Sequence, residues 1–145
     1  MAEALDNRVL ILAILGWFTA QFIKLFIDLY RTHKVNFRYL ASSGGMPSAH
    51  SALVCSVATA VARLAGVQSP LFAVSAVFAA VVMYDAAGVR QAASAQARIL
   101  NLIVEELFTH RAFSESRLRE LLGHTPIEVF AGAVLGIALG FAGTM

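Results

Sequence analysis

The hydrophobic positions of the chain gather into four long segments instead of alternating with polar ones. These segments cover residues 9–30, 48–66, 71–85 and 126–143. A helix needs about 20 apolar residues to cross the hydrocarbon core of a bilayer, and the first segment, VLILAILGWFTAQFIKLFIDLY, reaches that length. The pattern predicts an all-α membrane bundle of about four transmembrane helices, which forms a single membrane-embedded domain over residues 1–145.

Two further helical features follow from the stretch between the third and fourth segments. The third helix is expected to continue, with a more polar composition, to about residue 108. The sequence FTHRAFSESRLRELLGH then leads to the fourth segment. Its SESRLRELL part has the mixed apolar and charged pattern of a short helix at the membrane interface.

Composition supports a membrane protein and excludes several other classes. Hydrophobic residues make up 59% of the 145 residues and charged residues 14%, whereas soluble domains are about half apolar and about a quarter charged. The net charge of +2, without a basic run interleaved with aromatic residues, argues against nucleic acid as a partner. The single cysteine, Cys55, forms no internal disulfide and no metal-type spacing. No carboxylate cluster indicates a Mg²⁺ site, since Asp85 stands alone, and no cofactor is expected.

The lysines and arginines are distributed unequally between the two ends of the predicted bundle. The end where the second and fourth helices begin holds Arg31, Lys34, Arg38, Arg90, Arg98, Arg111, Arg117 and Arg119, and the other end holds Arg8 and Arg63. The positive-inside rule places the richer end in the cytoplasm. Basic residues that bind a phosphate would also concentrate there. We expect a multi-pass protein of the cytoplasmic membrane.

The first helix has a polar face, because Gln21, Lys24, Asp28 and Arg31 are three or four residues apart. Charged side chains within a membrane span usually face the protein interior. Two interpretations remain open. Asp28 neutralises the two cations, or Lys24 binds a ligand.

The fourth helix carries glycines at four-residue intervals, at positions 132, 136 and 140. Small residues at this spacing let membrane helices approach closely. The contact lies either within the chain or between protomers, so a homo-oligomer is among the expected assemblies.

Three polar motifs fall at the basic end of the bundle. They are GGMPSAH at residues 44–50, YDAAGVRQAAS at 84–94 and GHTPIE at 123–128. Helix starts favour anions, because their free N–H groups and the helix dipole point at the ligand. Two predicted helix starts here each bring a histidine, the side chain best suited to proton transfer near neutral pH. The motifs therefore predict a phosphate site with two imidazoles.

Structural alternatives exist for two of these motifs. In GHTPIE, Thr125 is a good N-cap and Glu128 is the N3 partner of a capping box, or Glu128 orients His124 four residues earlier. In the second motif, Asp85 and Arg90 would form an ion pair that closes the third helix.

The motifs together resemble a known superfamily. PSAH at 47–50 is similar to the PSGH motif of the type 2 phosphatidic acid phosphatases, which are relatives of the vanadium haloperoxidases. GHTPIEVFAGAVLG at 123–136 looks like the last motif of that superfamily. GGMPSAHSA, MYDAAGVRQAAS and ELLGHTPIEVFAG, in this order, resemble its small divergent branch.

The resemblance implies a histidine phosphatase that uses no metal. By analogy, His124 is the nucleophile that forms a phosphohistidine, and Glu128 orients it. His50 is the general acid that protonates the leaving alcohol. Ser48 and backbone N–H groups such as that of Gly45 hold phosphate oxygens.

The basic residues match the superfamily less closely. Its first motif is lysine, six residues, arginine and proline. Lys24 and Arg31 keep this spacing, but Thr32 replaces the proline, and Arg38 is an alternative for the arginine. The arginine of the last motif has no counterpart at the matching spacing, so Arg90 would supply that charge.

The expected function is hydrolysis of a lipid phosphate monoester or an isoprenyl diphosphate at the membrane surface, with the lipid tail of the substrate in the bilayer between helices. Two alternatives remain open. One is a non-catalytic membrane protein that binds phosphate or lipid head groups, and the other is a small transporter subunit.

Overall fold

The computed structural model describes residues 6–33, 45–107 and 125–145, with the backbone alone at 31–32, 89–95 and 104–107. These residues form four helices: α1 (Arg8–Thr32), α2 (Ala49–Ala65), α3 (Pro70–Leu107) and α4 (Pro126–Ala142). The all-helical prediction is confirmed over this part of the chain, as is the continuation of the third helix. The predicted interfacial helix SESRLRELL lies outside the described residues.

Side-chain and backbone caps define both ends of α1. The Asn7 side chain accepts a hydrogen bond from the Leu10 N–H at 3.1 Å, which satisfies one of the N–H groups that a helix start leaves without an intrahelical partner. At the other end, His33 has a left-handed backbone with φ of 52°. Its N–H donates to the carbonyl of Leu29 at 2.9 Å, so the helix ends in a left-handed cap.

Helix α2 is the central element, because the three most extensive helix interfaces are those it makes with α1, α3 and α4. A four-residue turn joins α2 to α3, and the Cys55 thiol lies 3.7 Å from the Met83 sulfur. These two helices therefore form an antiparallel hairpin. Helix α1 also runs antiparallel to α2, since Gly16 faces Ser56 and Lys24 lies near Gly45.

Helix α4 runs parallel to α2 and touches it through its three glycines. Gly132 lies against the backbone of Ser48, Gly136 against Ala52, and Gly140 against Ser56. A Cβ atom on Gly136 would collide with the Ala52 carbonyl and would lie 2.9 Å from the Cβ of Cys55. The predicted close approach of small residues is thus formed within the chain.

Small side chains fill the interior of the bundle and large apolar ones cover its surface. The largest fully buried side chains are three serines, at positions 48, 51 and 56. The outer face of α4, by contrast, exposes Ile127, Phe130, Val134, Ile137 and Phe141. Water-soluble proteins bury their large apolar residues, whereas membrane helices bring small residues together and turn large ones toward lipid. This distribution supports a membrane protein.

Two of the described helices are long and apolar enough to cross a membrane, over Arg8–Tyr30 and Pro70–Gly88. The other two, α2 and α4, are apolar but have only 17 residues each, a length of about 26 Å at 1.5 Å per residue. The hydrocarbon core of a bilayer is about 30 Å thick. Two of the described helices are therefore candidate spans by length and composition, and the four-span topology stays a prediction.

Helix α3 is much longer than a single span. Its 38 residues extend over about 57 Å at 1.5 Å per residue, and the apolar part ends near Gly88. The second half carries exposed polar residues such as Arg98 beside exposed apolar ones such as Ile99. We infer that this half projects out of the hydrocarbon core.

The contact between α2 and α4 predicts that Gly136→Val destabilises the protein. The valine side chain would push the α4 backbone away from Ala52, and overpacking of this kind costs about 1–3 kcal/mol. Ala138→Val is the matched control, because Ala138 is exposed on the same helix. Thermal unfolding of the two proteins in detergent tests this, and equal midpoints would contradict the close packing.

The length of α3 predicts different water accessibility for two exposed positions. In a Cys55→Ala background, Arg98→Cys is expected to react with a hydrophilic maleimide in membranes, because it lies beyond the apolar half of the helix. Val77→Cys is the control, since its side chain is also exposed but lies within the apolar half. Protection of position 98 in intact membranes, reversed by detergent, would show that the second half is buried in lipid.

Candidate functional site

The starts of α2 and α4 meet through a backbone hydrogen bond. The N–H of Ser48 donates to the carbonyl oxygen of Glu128 at 2.9 Å. Ser48 is the N-cap of α2, and its hydroxyl accepts a hydrogen bond from the Ser51 N–H at 3.3 Å. Because α2 and α4 are parallel, their positive dipole ends lie side by side. This arrangement favours an anion at this end of the bundle.

A complete capping box begins α4, as the sequence predicted. The Thr125 hydroxyl accepts from the Glu128 N–H at 3.3 Å. In return, the Glu128 carboxylate accepts from the Thr125 N–H at 3.1 Å. A carboxylate can accept several hydrogen bonds, so this contact leaves room for a second role. Orientation of His124 by Glu128 stays a prediction, because His124 lies outside the described residues.

Lys24 approaches the loop that precedes α2. Its Cδ atom is 3.9 Å from the position that a Cβ atom on Gly45 would occupy. Gly45 has a φ of 94°, a left-handed conformation that glycine adopts without steric cost. The Lys24 side chain is only 4% exposed. Gly45 thus lies directly beside the stem of a buried lysine.

The polar face of α1 points into the bundle. Gln21, Lys24 and Asp28 are all buried, so the prediction that this face meets protein is confirmed at these three positions. Asp28 follows Lys24 by four residues, which places the two charges on neighbouring turns. Buried charges persist when they are balanced by opposite charge. A carboxylate next to the lysine fits the first of the two interpretations and does not conflict with ligand binding by Lys24.

His50 is the second residue of α2, and its side chain is exposed. It lies next to the buried Ser48–Glu128 junction, at the same end of the bundle. An exposed imidazole at a helix start is accessible to a molecule that arrives from outside the bundle. The preceding loop contains a cis peptide bond between Met46 and Pro47.

The second motif does not end a helix, which corrects one expectation. Helix α3 continues through residues 84–94 to Leu107, because this stretch is rich in alanine and has no helix breaker except Gly88. Asp85 is exposed on α3, two residues beyond the Cys55–Met83 contact. The prediction that residues 84–94 close the third helix is therefore wrong, whereas an Asp85–Arg90 ion pair stays a prediction, because the Arg90 side chain lies outside the described residues.

The described residues bring together five of the predicted site residues: Lys24, Gly45, Ser48, His50 and Glu128. The remaining predicted basic and catalytic groups fall outside the description. These are Arg38, His124 and the side chains of Arg31 and Arg90. Over the described ranges, no three His, Cys, Asp or Glu side chains lie together as metal ligands.

One polar residue at this end was missed by the sequence interpretation. Ser51 is fully buried in the first turn of α2, beside Gly132 of α4. Its spacing from Ser48 was the available signal, because positions N-cap and N3 of a helix are the two members of a capping box.

Comparison with known proteins gives one close match by sequence. The uncharacterized membrane protein YuiD of Bacillus subtilis (strain 168) is 41% identical over an alignment of 148 positions, which covers 94% of each chain. No solved structure matches the chain. The relative is described as a membrane protein, in agreement with the two apolar spans of α1 and α3.

The family comparison covers nearly the whole chain. The Divergent PAP2 family matches residues 5–139, a range that contains all three polar motifs and all four helix starts. With the histidine motif on α2 and the capped start of α4 at one end of the bundle, the chain belongs to the Divergent PAP2 family.

Proposed function

We propose that the protein is a membrane lipid phosphatase that works without a metal ion. Its substrate is a lipid phosphate monoester or an isoprenyl diphosphate, and the reaction passes through a phosphohistidine. One observation carries the proposal: the hydrogen bond between Ser48 and Glu128 holds the starts of two parallel helices together. Each of these helices is preceded or opened by a histidine of the family motifs.

The proposed roles of the histidines follow from the chemistry of phosphoryl transfer. A ring nitrogen of His124 attacks phosphorus, the bond from phosphorus to the leaving oxygen breaks, and His50 gives that oxygen its proton. Water then attacks the phosphohistidine, His50 takes the proton of the water, and the nitrogen–phosphorus bond breaks. Each histidine returns to its starting state. Glu128 would orient His124 and stabilise its charged form.

The proposed phosphate-binding groups supply positive charge around the equatorial oxygens, which carry the charge of the transition state. Lys24 supports this role because it is a buried cation beside Gly45. Ser48 and the N–H groups at the start of α2 would contribute hydrogen bonds. Arg31, Arg38 and Arg90 are the proposed arginines, and Asp85 is a further motif residue on α3.

The lipid tail of the substrate would lie in the bilayer against the apolar outer surface of the bundle. The exposed position of His50 supports this route, since the leaving oxygen stays with the lipid product for both classes of substrate. We also propose that the whole chain, residues 1–145, acts as one domain with its site on the cytoplasmic side. Membrane lipids are its surroundings, and a homo-oligomer would use lipid-facing surfaces.

A second function is favoured by one specific observation. The Glu128 carboxylate is already engaged in the capping box of α4. If capping is its whole role, the site would bind a phosphate head group without hydrolysing it. Binding without turnover therefore separates this alternative from the phosphatase.

The proposed reaction predicts phosphate release by the purified protein. We expect release from at least one of phosphatidic acid, phosphatidylglycerophosphate and an isoprenyl diphosphate in excess EDTA, with inhibition by vanadate. His50→Ala and His124→Ala should each lower the rate at least about 100-fold, the usual contribution of general acid–base catalysis.

His33→Asn is the matched histidine control. His33 is exposed at the end of α1, and asparagine tolerates its left-handed backbone, so activity should be unchanged. Full activity of His124→Ala would exclude the phosphohistidine mechanism. Saturable head-group binding without release from any substrate would favour the binding protein.

The proposed orientation predicts one-sided labelling. In the Cys55→Ala background, Arg98→Cys should react with an impermeant maleimide in inside-out vesicles and not in intact cells, because the α2 and α4 starts face the cytoplasm. A cysteine placed at Arg63, which lies over the Phe141 ring at the opposite end, should show the reverse. If instead Arg98→Cys reacts in intact cells and the cysteine at position 63 reacts only in inside-out vesicles, the site lies outside the cell.

A further inference from the structure

Ser51 has an unusual environment for a buried hydroxyl. The residue is 0% exposed, and its Oγ atom has no hydrogen-bond partner among the described residues. A buried polar group without a partner costs roughly 1–3 kcal/mol, so such groups call for an explanation, including a ligand or an ordered water. Ser51 lies in the first turn of α2, one residue after His50.

The two helix starts use their N-cap N–H groups differently, and this difference accounts for the unused hydroxyl of Ser51. At the start of α4, the N3 side chain of Glu128 accepts from the N–H of its own N-cap, Thr125. The equivalent acceptor in α2 would be Ser51, facing the N–H of Ser48. That N–H donates instead to the carbonyl of Glu128. The Ser48 N–H, from which the Ser51 hydroxyl could have accepted, is therefore already used in the hydrogen bond between the helices.

Nearby serines on the same helix behave differently. The hydroxyl of Ser56 is equally buried, but it donates to the carbonyl of Ala52 at 2.7 Å. The hydroxyl of Ser48 accepts from the Ser51 N–H. Of Ser48, Ser51 and Ser56, only Ser51 has a hydroxyl that makes no hydrogen bond among the described residues.

The position of Ser51 links it to the proposed site. Its Cβ lies 3.0 Å from where a Cβ on Gly132 would stand, one helical turn after Glu128. The residue is therefore enclosed by the two helix starts whose dipoles favour an anion. A hydroxyl can donate to a phosphoryl oxygen and accept from a neighbouring group at the same time.

We propose that Ser51 is an additional phosphate-binding residue, whose hydroxyl donates to a phosphoryl oxygen held between the starts of α2 and α4. This inference rests on the proposed function and adds a group that completes the anion site. The ligand chemistry is a phosphoryl group, supplied either by a lipid phosphate or by free phosphate.

The test is the affinity of the full-length protein in detergent for two probes. Radiolabelled inorganic phosphate and a short-chain phosphatidic acid are each measured by equilibrium binding to wild type, Ser51→Ala and Ser51→Cys. Loss of a hydrogen bond to a charged ligand is expected to weaken binding about tenfold or more. The probe whose binding the Ser51 substitutions weaken more identifies the source of the phosphoryl group. Ser51→Cys keeps the side-chain volume with a much weaker donor, so it serves if the alanine variant does not fold.

Ser56→Ala is the matched control, because it removes a buried hydroxyl that is bonded to its own helix, and it should bind both probes like wild type. The thermal midpoint of Ser51→Ala should not fall, since the hydroxyl has no partner to lose. If both Ser51 variants bind the probes as tightly as wild type, and wild type still hydrolyses substrate, the proposed role of Ser51 is overturned and the proposed function is not. Absence of binding and of turnover in wild type would overturn the proposed function and this inference together.

Discussion

The close approach of α2 and α4 is the constraint on which the rest of the structure depends. Glycines at 132, 136 and 140 have no Cβ atom, so the α4 backbone can lie directly on the carbonyl groups of Ser48, Ala52 and Ser56. Without a hydrophobic driving force between helices in lipid, such close packing is a main source of their association. The register of this contact aligns the two helix starts, and the Ser48–Glu128 hydrogen bond follows from that alignment.

The same packing determines where charge can be placed. A bundle interior made of alanine, glycine and serine leaves space for the longer polar side chains of α1, and Lys24 and Asp28 are buried there. Two helix dipoles and a lysine then share one end, in surroundings of low dielectric constant where electrostatic interactions are strong. The carboxylates of Asp28 and Glu128 lie at the same end, so the bundle places charges of both signs where the family motifs meet.

Hydrogen bonding at the two helix starts shows how packing and site chemistry are connected. The capping box of α4 is closed within its own helix, whereas α2 gives its N-cap N–H to α4. The inter-helix bond therefore fixes the geometry of the junction and leaves Ser51 with an unused hydroxyl. A single contact therefore joins the two helix starts and uses the N–H nearest to the Ser51 hydroxyl.

The sequence by itself determined the helical class, the positions of the four helices and the capping box of α4, because apolar runs and cap residues act locally. It also indicated that the polar face of α1 would be buried and that the GGMPSAH and GHTPIE motifs would share one end. Only the tertiary structure decided that the glycines of α4 contact α2 within the chain and that the Ser51 hydroxyl has no hydrogen-bond partner among the described residues. These outcomes depend on distances between helices and on which donor each acceptor meets, and neither is encoded in the spacing of residues along one segment.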